Sequence, residues 1–166
     1  IYQSWQQFPD ADYYAFVDAD GAVSANELMR MLNCASDSEN LDMSFVAVRQ
    51  FSGSLTVDRS LLRRATFHFF RILVRGIAGL KWMDTQCGAK VISGRSYRAV
   101  SERLVEDGFV FDVELLATLQ QGAWPVTELP IMWQEIPGSK LRLWRDLWFM
   151  TRGLMRIRRR LNTCDL

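Results

Sequence analysis

The chain has 166 residues, of which 49% are hydrophobic, and a formal net charge of +1, enough length and apolar content for one domain with a real core. Three widely spaced cysteines (Cys34, Cys87 and Cys164) argue against a disulfide framework or a zinc pattern and fit a reducing compartment. The single histidine, His68, excludes most histidine-based metal sites and argues against a Ser-His-Asp triad.

There is no signal-peptide pattern and no apolar run long enough to span a bilayer. The charge is unevenly spread. Residues 1–58 carry nine acids against Arg30 and Arg49, and residues 59–166 carry eighteen bases against ten acids. An acidic first part suited to a cation is followed by a basic part suited to phosphate or an anionic surface.

In chain order, Tyr13 to Val17 read as a buried strand. It ends in Asp18-Ala19-Asp20 and Gly21, and Ser24-Ala25-Asn26-Glu27 then reads as a capping box opening a helix. The polar stretch 33–42, "NCASDSENLD", reads as a loop. "MSFVAVRQF" (43–51) reads as a strand ending near Arg49. Residues 59–80 read as a helix with Arg59, Arg63, Arg71 and Arg75 at helical spacings. "DTQCGAKVIS" is a turn entering a strand. "DVELLATLQQG" is a helix with acids in its first turn and a glycine stop. "WPVTELPIMWQEI" is a strand broken by two prolines, hence bent or at an edge. "PGSK" is a loop, and 141–160 form a basic helix. Strands alternating with helices give an α/β class.

Several of these pieces can carry chemistry. Asp18 and Asp20 lie at the carboxyl end of what is expected to be a parallel strand, where α/β sheets bind ligands. They can hold a divalent cation on a diphosphate, or make an Asx-turn and charge the helix start. An EF-hand is excluded, because its fifth and twelfth loop positions would be Ala22 and Met29. Asp84 and Gln86 can meet a polar ligand, with Gly88 allowing close backbone approach, while Cys87 reads as a small buried thiol. Asp112 and Glu114 either cap their helix or present a carboxylate to a cleft. Ser139 and Lys140 can hold a phosphate or form a surface turn. From Lys140 to Arg160 there are eight bases and one acid, on a helix whose Trp144, Trp148, Phe149, Met150 and Leu154 can face either a bilayer or the core.

Taken together, "FVDADGAVSANEL", "DTQCGAK", "GFVFDVELL", "ELPIMWQEIPGSK" and the closing "RIR" resemble the family 2 glycosyltransferases of the polyprenyl-phosphate branch, the dolichyl-phosphate glucosyl- and mannosyltransferases and their bacterial relatives. Their order and spacing carry the resemblance, from about Tyr13 to Arg160. It implies a GT-A-type, Rossmann-like nucleotide-sugar-binding domain over residues 1–140, incomplete at its N-terminus. Family members begin with a base-binding strand and a loop of the kind V-S-V-V-I-P-A-Y-N-E, absent here, so this stretch alone is not expected to hold donor well or to turn over. Residues 141–166 would be a basic amphipathic helix on the domain or at a membrane surface. The chain departs from the family at Ala47-Val48-Arg49, where relatives often read Gly-Ser-Arg, and at Ala89, where glucosyl-type relatives often read phenylalanine.

The resemblance implies a metal-dependent, inverting transfer of a hexose from a UDP- or GDP-sugar to a polyprenyl phosphate. Asp18 and Asp20 would hold Mg²⁺ or Mn²⁺, with Ala19 and Gln86 on the donor. Asp84 and Glu114 would complete the catalytic set. Arg49, Arg63, Ser139 and Lys140 would place the acceptor phosphate. Nucleic acid is not an expected partner. A membrane-anchor subunit or a second copy is compatible, and the expected place is peripheral, at the cytoplasmic face of a membrane. The rival readings are a family member acting on a hydroxyl acceptor, which needs a general base, and a non-catalytic membrane-surface module.

Overall fold

Short, mostly apolar runs build a four-stranded sheet, and helices cover both of its faces. The computed structural model describes residues 1–51, 71–82, 84–134 and 143–163. In chain order these contain α1 (Tyr2–Trp5), β1 (Tyr13–Val17), α2 (Ala25–Ser36), β2 (Ser44–Phe51), β3 (Ala89–Ser93), α3 (Gly94–Val100), a 3₁₀ turn (Ser101–Arg103), α4 (Phe111–Gln121), β4 (Val126–Trp133) and α5 (Leu143–Thr163). Residues 71–78 are also helical. The α/β class is therefore the observed one, in keeping with a GT-A-type domain.

The strand order is β1-β3-β2-β4. β2 and β4 run parallel from Ser44↔Val126 to Phe51↔Trp133. β3 is antiparallel to both β1 and β2. This corrects one expectation: β1 is not a parallel strand. Only Tyr14, its second residue, is buried, because β1 lies at one edge of the sheet and leaves Val17 exposed. β4 occupies the other edge, as its prolines require, and Pro130 sits inside an unbroken strand.

The period of two splits each strand between two layers. Phe45 and Ala47 of β2, Ala89 and Val91 of β3 and Ile131 of β4 pack under α2 through Met31 and Ala35. On the opposite face, Val46 joins Val113, Leu116 and Ala117 of α4 and Leu154 and Ile157 of α5. Tyr14 and Ile92 join Trp5, Tyr97, Leu115 and Leu119 there.

Local chemistry sets the helix ends. Ser24 Oγ accepts from Glu27 N at 3.3 Å, so half of the expected capping box forms. The Glu27 carboxylate turns instead to Arg30, 2.8 Å away. α2 continues to Ser36, so the first four residues of the expected 33–42 loop are helical. α4 stops at Gly122 as expected. α5 packs closely because Gly153 admits Val110: a Cβ at 153 would lie 2.5 Å from Val110 Cγ2. Leu154 is fully buried, so it belongs to the core and not to a bilayer-facing stripe.

Candidate active site

The turn after β1 brings Asp18 and Asp20 to the end of the sheet where β3 begins. Asp18 N donates to Gly88 O at 2.7 Å. Gly88 is needed for this approach, since a Cβ there would fall 2.0 Å from Asp18 Oδ2. Asp20 Oδ1 accepts from Ala22 N at 2.9 Å, an Asx-turn. The Asp18 carboxyl titrates above the usual carboxylate range. Loss of water around it is the first cause and the neighbouring Asp20 charge the second, while Lys90 and Arg49 act in the opposite direction. Both acids are solvent-exposed. A cation between them would relieve the repulsion. Among the described residues no group of three or more His, Cys, Asp or Glu forms a protein-only metal cage. Two carboxylates suit a hard divalent cation that keeps water ligands and shares a diphosphate.

Beside this turn, Arg49 at the end of β2 meets Asp84 in a two-pronged ion pair, Nε to Oδ2 at 2.6 Å and a terminal nitrogen to Oδ1 at 2.7 Å. Burial works against the Arg49 charge, and the Asp84 carboxylate outweighs it, so the guanidinium pKa rises. The guanidinium also lies 5.4 Å from the centre of the Trp133 ring. Arg49 therefore reaches the site as half of a preorganised pair. Both Asp84 oxygens are engaged by the one guanidinium, which fixes the direction of each side chain.

Burial pushes the Cys87 thiol up to about 11, and the residue is 1% exposed. It is an inert core thiol, as read from the sequence.

The two acids of α4 separate. Residues two apart on a helix point roughly 200° apart, and here they enter different networks. Asp112 faces the Asp18 side, accepting from Gln86 Nε2 at 3.0 Å and from Lys90 Nζ at 3.1 Å. Glu114 turns the other way. It accepts from Val105 N and Glu106 N at 2.9 and 2.8 Å and from Arg160 at 2.7 Å. Arg160 and Arg156 also clasp Glu106. Glu114 is thus engaged on the α5 side and ties α4 to α5, while Asp112 is the acid of the two that faces the Asp18 turn. Nothing in the sequence alone says which of the two faces inward. Lys90 is the other residue that the sequence reading passed over. Arg63, Ser139 and Lys140, together with Arg59, Trp144 and Arg145, lie outside the residues whose side chains are described.

Comparison with known proteins adds to this geometry. The chain is 31% identical over 149 residues to a dolichyl-phosphate beta-glucosyltransferase of Dictyostelium discoideum, covering 88% of this chain and 46% of that protein. It is 30% identical over 158 residues to the dolichyl-phosphate beta-glucosyltransferase of Saccharomyces cerevisiae, covering 88% and 47%. The Drosophila melanogaster enzyme of that name is 29% identical over 130 residues, covering 76% and 40%. The chain spans about half the length, or less, of these curated relatives. No protein-family model matches it, and no solved structure matches significantly.

Proposed function

This chain is a partial-length homologue of the polyprenyl-phosphate glycosyltransferases, and from that premise we propose that it forms part of an enzyme moving a hexose from a nucleotide sugar to a polyprenyl phosphate such as dolichyl phosphate. The reaction is read as metal-dependent and inverting, with a UDP- or GDP-sugar as donor. The observation that carries the proposal is the Asp18-Ala19-Asp20 turn, which sets two exposed, mutually repelling carboxylates against Gly88 and beside the Arg49–Asp84 pair. Asp18 and Asp20 would hold Mg²⁺ or Mn²⁺, which supplies charge neutralisation to the leaving diphosphate. Arg49, fixed in direction by Asp84 and Trp133, would meet phosphate oxygens without reorganising. An acceptor phosphate is already an anion at neutral pH. A phosphate acceptor therefore needs no general base, whereas the hydroxyl-acceptor rival does, and a pH–rate profile showing an essential base would favour that rival.

The acceptor is a lipid, so the site must work next to a bilayer. No described helix is long and apolar enough to cross one. α5 exposes Trp148, Phe149 and Met155, and Arg152 stacks 5.9 Å from the Trp148 ring centre. This face suits peripheral contact with an anionic leaflet. The cytoplasmic side and an anchor subunit or second copy belong to the same reading.

The test uses the full-length protein that contains this chain, supplied with labelled UDP-glucose or GDP-mannose and dolichyl phosphate in vesicles. Label passing into the lipid fraction, lost with chelator and restored by Mg²⁺ or Mn²⁺, is the expected result. Transfer to a hydroxyl acceptor alone, or none with either donor, would overturn it.

A further inference from the structure

Lys90 stands where the fold asks for an apolar side chain. On the α4 side of the sheet it sits in a row between Phe16 and Val46, its cross-strand partners in β1 and β2. It is completely buried. A lysine in such a place must have its ammonium fully engaged. Its Nζ donates to Cys87 O at 3.0 Å and to Asp112 Oδ2 at 3.1 Å, and lies 5.1 Å from the Phe16 ring centre.

Asp112 passes this constraint on. Its two oxygens lie 3.0 and 3.2 Å from Gln86 Nε2. Paired with Lys90, the carboxylate can only accept, so it fixes which end of the Gln86 amide turns inward. The nitrogen faces Asp112, and the oxygen is left for whatever enters. Among the described residues that oxygen takes no hydrogen bond, and Gln86 is only half-buried. Lys90 also grips the 84–88 turn through the Cys87 carbonyl, so the same ammonium locates the backbone that carries Gln86.

We propose that the buried Lys90–Asp112 pair is a positioning device that turns the Gln86 amide so that its oxygen is offered to a hydroxyl group of the ligand beside Asp18. An exposed acceptor selects a hydrogen-bond donor and repels a phosphate or carboxylate oxygen. Gln86 therefore reads a sugar hydroxyl, leaving the anionic parts of the ligands to Arg49 and a cation. That the ligand is a hexose rests on the transferase reading above; the relay itself does not.

Two measurements decide it separately. The first uses the ¹⁵N-labelled 166-residue chain without ligand, the Gln86 side-chain amide being assigned by its loss in Gln86→Met. Its protons should exchange with solvent roughly tenfold more slowly than those of exposed glutamines, and Lys90→Met should abolish the protection. Should Lys90→Met not fold, Asp112→Asn, which removes the charge on the acceptor, serves in its place. Unchanged protection in the variant that folds overturns the relay. The second uses the full-length protein. Gln86→Met and Lys90→Met should each lower kcat/KM for the sugar donor about tenfold, as for one lost hydrogen bond, and the double variant only about twofold further. Gln86→Met should also erase the preference for the parent donor over one of its deoxy analogues. Losses that multiply, or an unchanged preference across all deoxy donors, overturn the hydroxyl contact. No transfer by the unsubstituted protein sinks the transferase reading, and amide exchange still decides the relay.

Discussion

Two clusters of acids and arginines lie on either side of α4, and they differ in how completely their charges are answered. At the outer cluster, Glu106 and Glu114 receive two arginines and two backbone N–H groups. At the inner one, Asp18 and Asp20 stand one residue apart, and among the described residues neither is in an ion pair. The side chains are of the same kind. A saturated carboxylate is a tie between elements; one left facing a like charge is where the proposed cation would sit.

The strongest way to break this comparison is at the inner cluster. In the full-length protein, Asp20→Asn is expected to lower transfer by a factor on the order of 10² to 10³, with the circular dichroism spectrum and Tm nearly unchanged. Near-full activity with Mg²⁺ would remove the metal role from this turn.

At the outer cluster the order of effects reverses. Glu114→Ala leaves two N–H groups and part of Arg160 without a partner and should cost about 2–4 kcal/mol of stability. Denaturant unfolding of the chain measures this. A stable variant lacking only turnover would return Glu114 to the reacting side.

A smaller effect sharpens the same contrast through pH. Hydrogen bonds from Arg156 hold the Glu106 carboxyl below its usual range, with burial opposing and Arg160 assisting. A lowered folded-state pKa means stability that is present above the unfolded value of about 4.3 and lost as pH falls through the folded value. The Tm of the unsubstituted chain should drop more steeply below that pH than the Tm of Glu106→Gln. Burial first of all, with the Asp20 charge second, displaces Asp18 the other way. Its contribution is therefore lost as pH rises, and Asp18→Asn should gain stability relative to the parent between acid and neutral pH. Parallel Tm curves for either pair would reject the assignment.

The smallest expected effect concerns the membrane. Arg156 is tied to Glu106, so under the proposed membrane contact the charge offered to lipid falls to Arg152 and Arg159. Each is worth about 1 kcal/mol near an anionic surface. Arg152→Glu with Arg159→Glu should reduce co-sedimentation with anionic vesicles several-fold at low salt and leave neutral vesicles unaffected. No change would make this face an ordinary solvated one.

Much of the site was legible beforehand because its signals are local. The Asp18–Asp20 turn, the cap at Ser24, the close approach at Gly88 and the inert Cys87 each depend on a few neighbouring residues whose chemistry leaves few choices. The α/β class followed from the alternation of periods, and the edge position of β4 from its prolines.

What the sequence could not supply was decided by long-range pairing. The antiparallel sense of β1 depends on Tyr13 meeting Ser93, eighty residues later. Whether Asp112 or Glu114 faces the Asp18 turn depends on which side of α4 the sheet and α5 claim. The same packing puts Leu154 in the core and engages Asp84 with Arg49. It also buries Lys90, because a period of two fixes alternation along a strand, while only the completed sheet and its helices fix which face is interior.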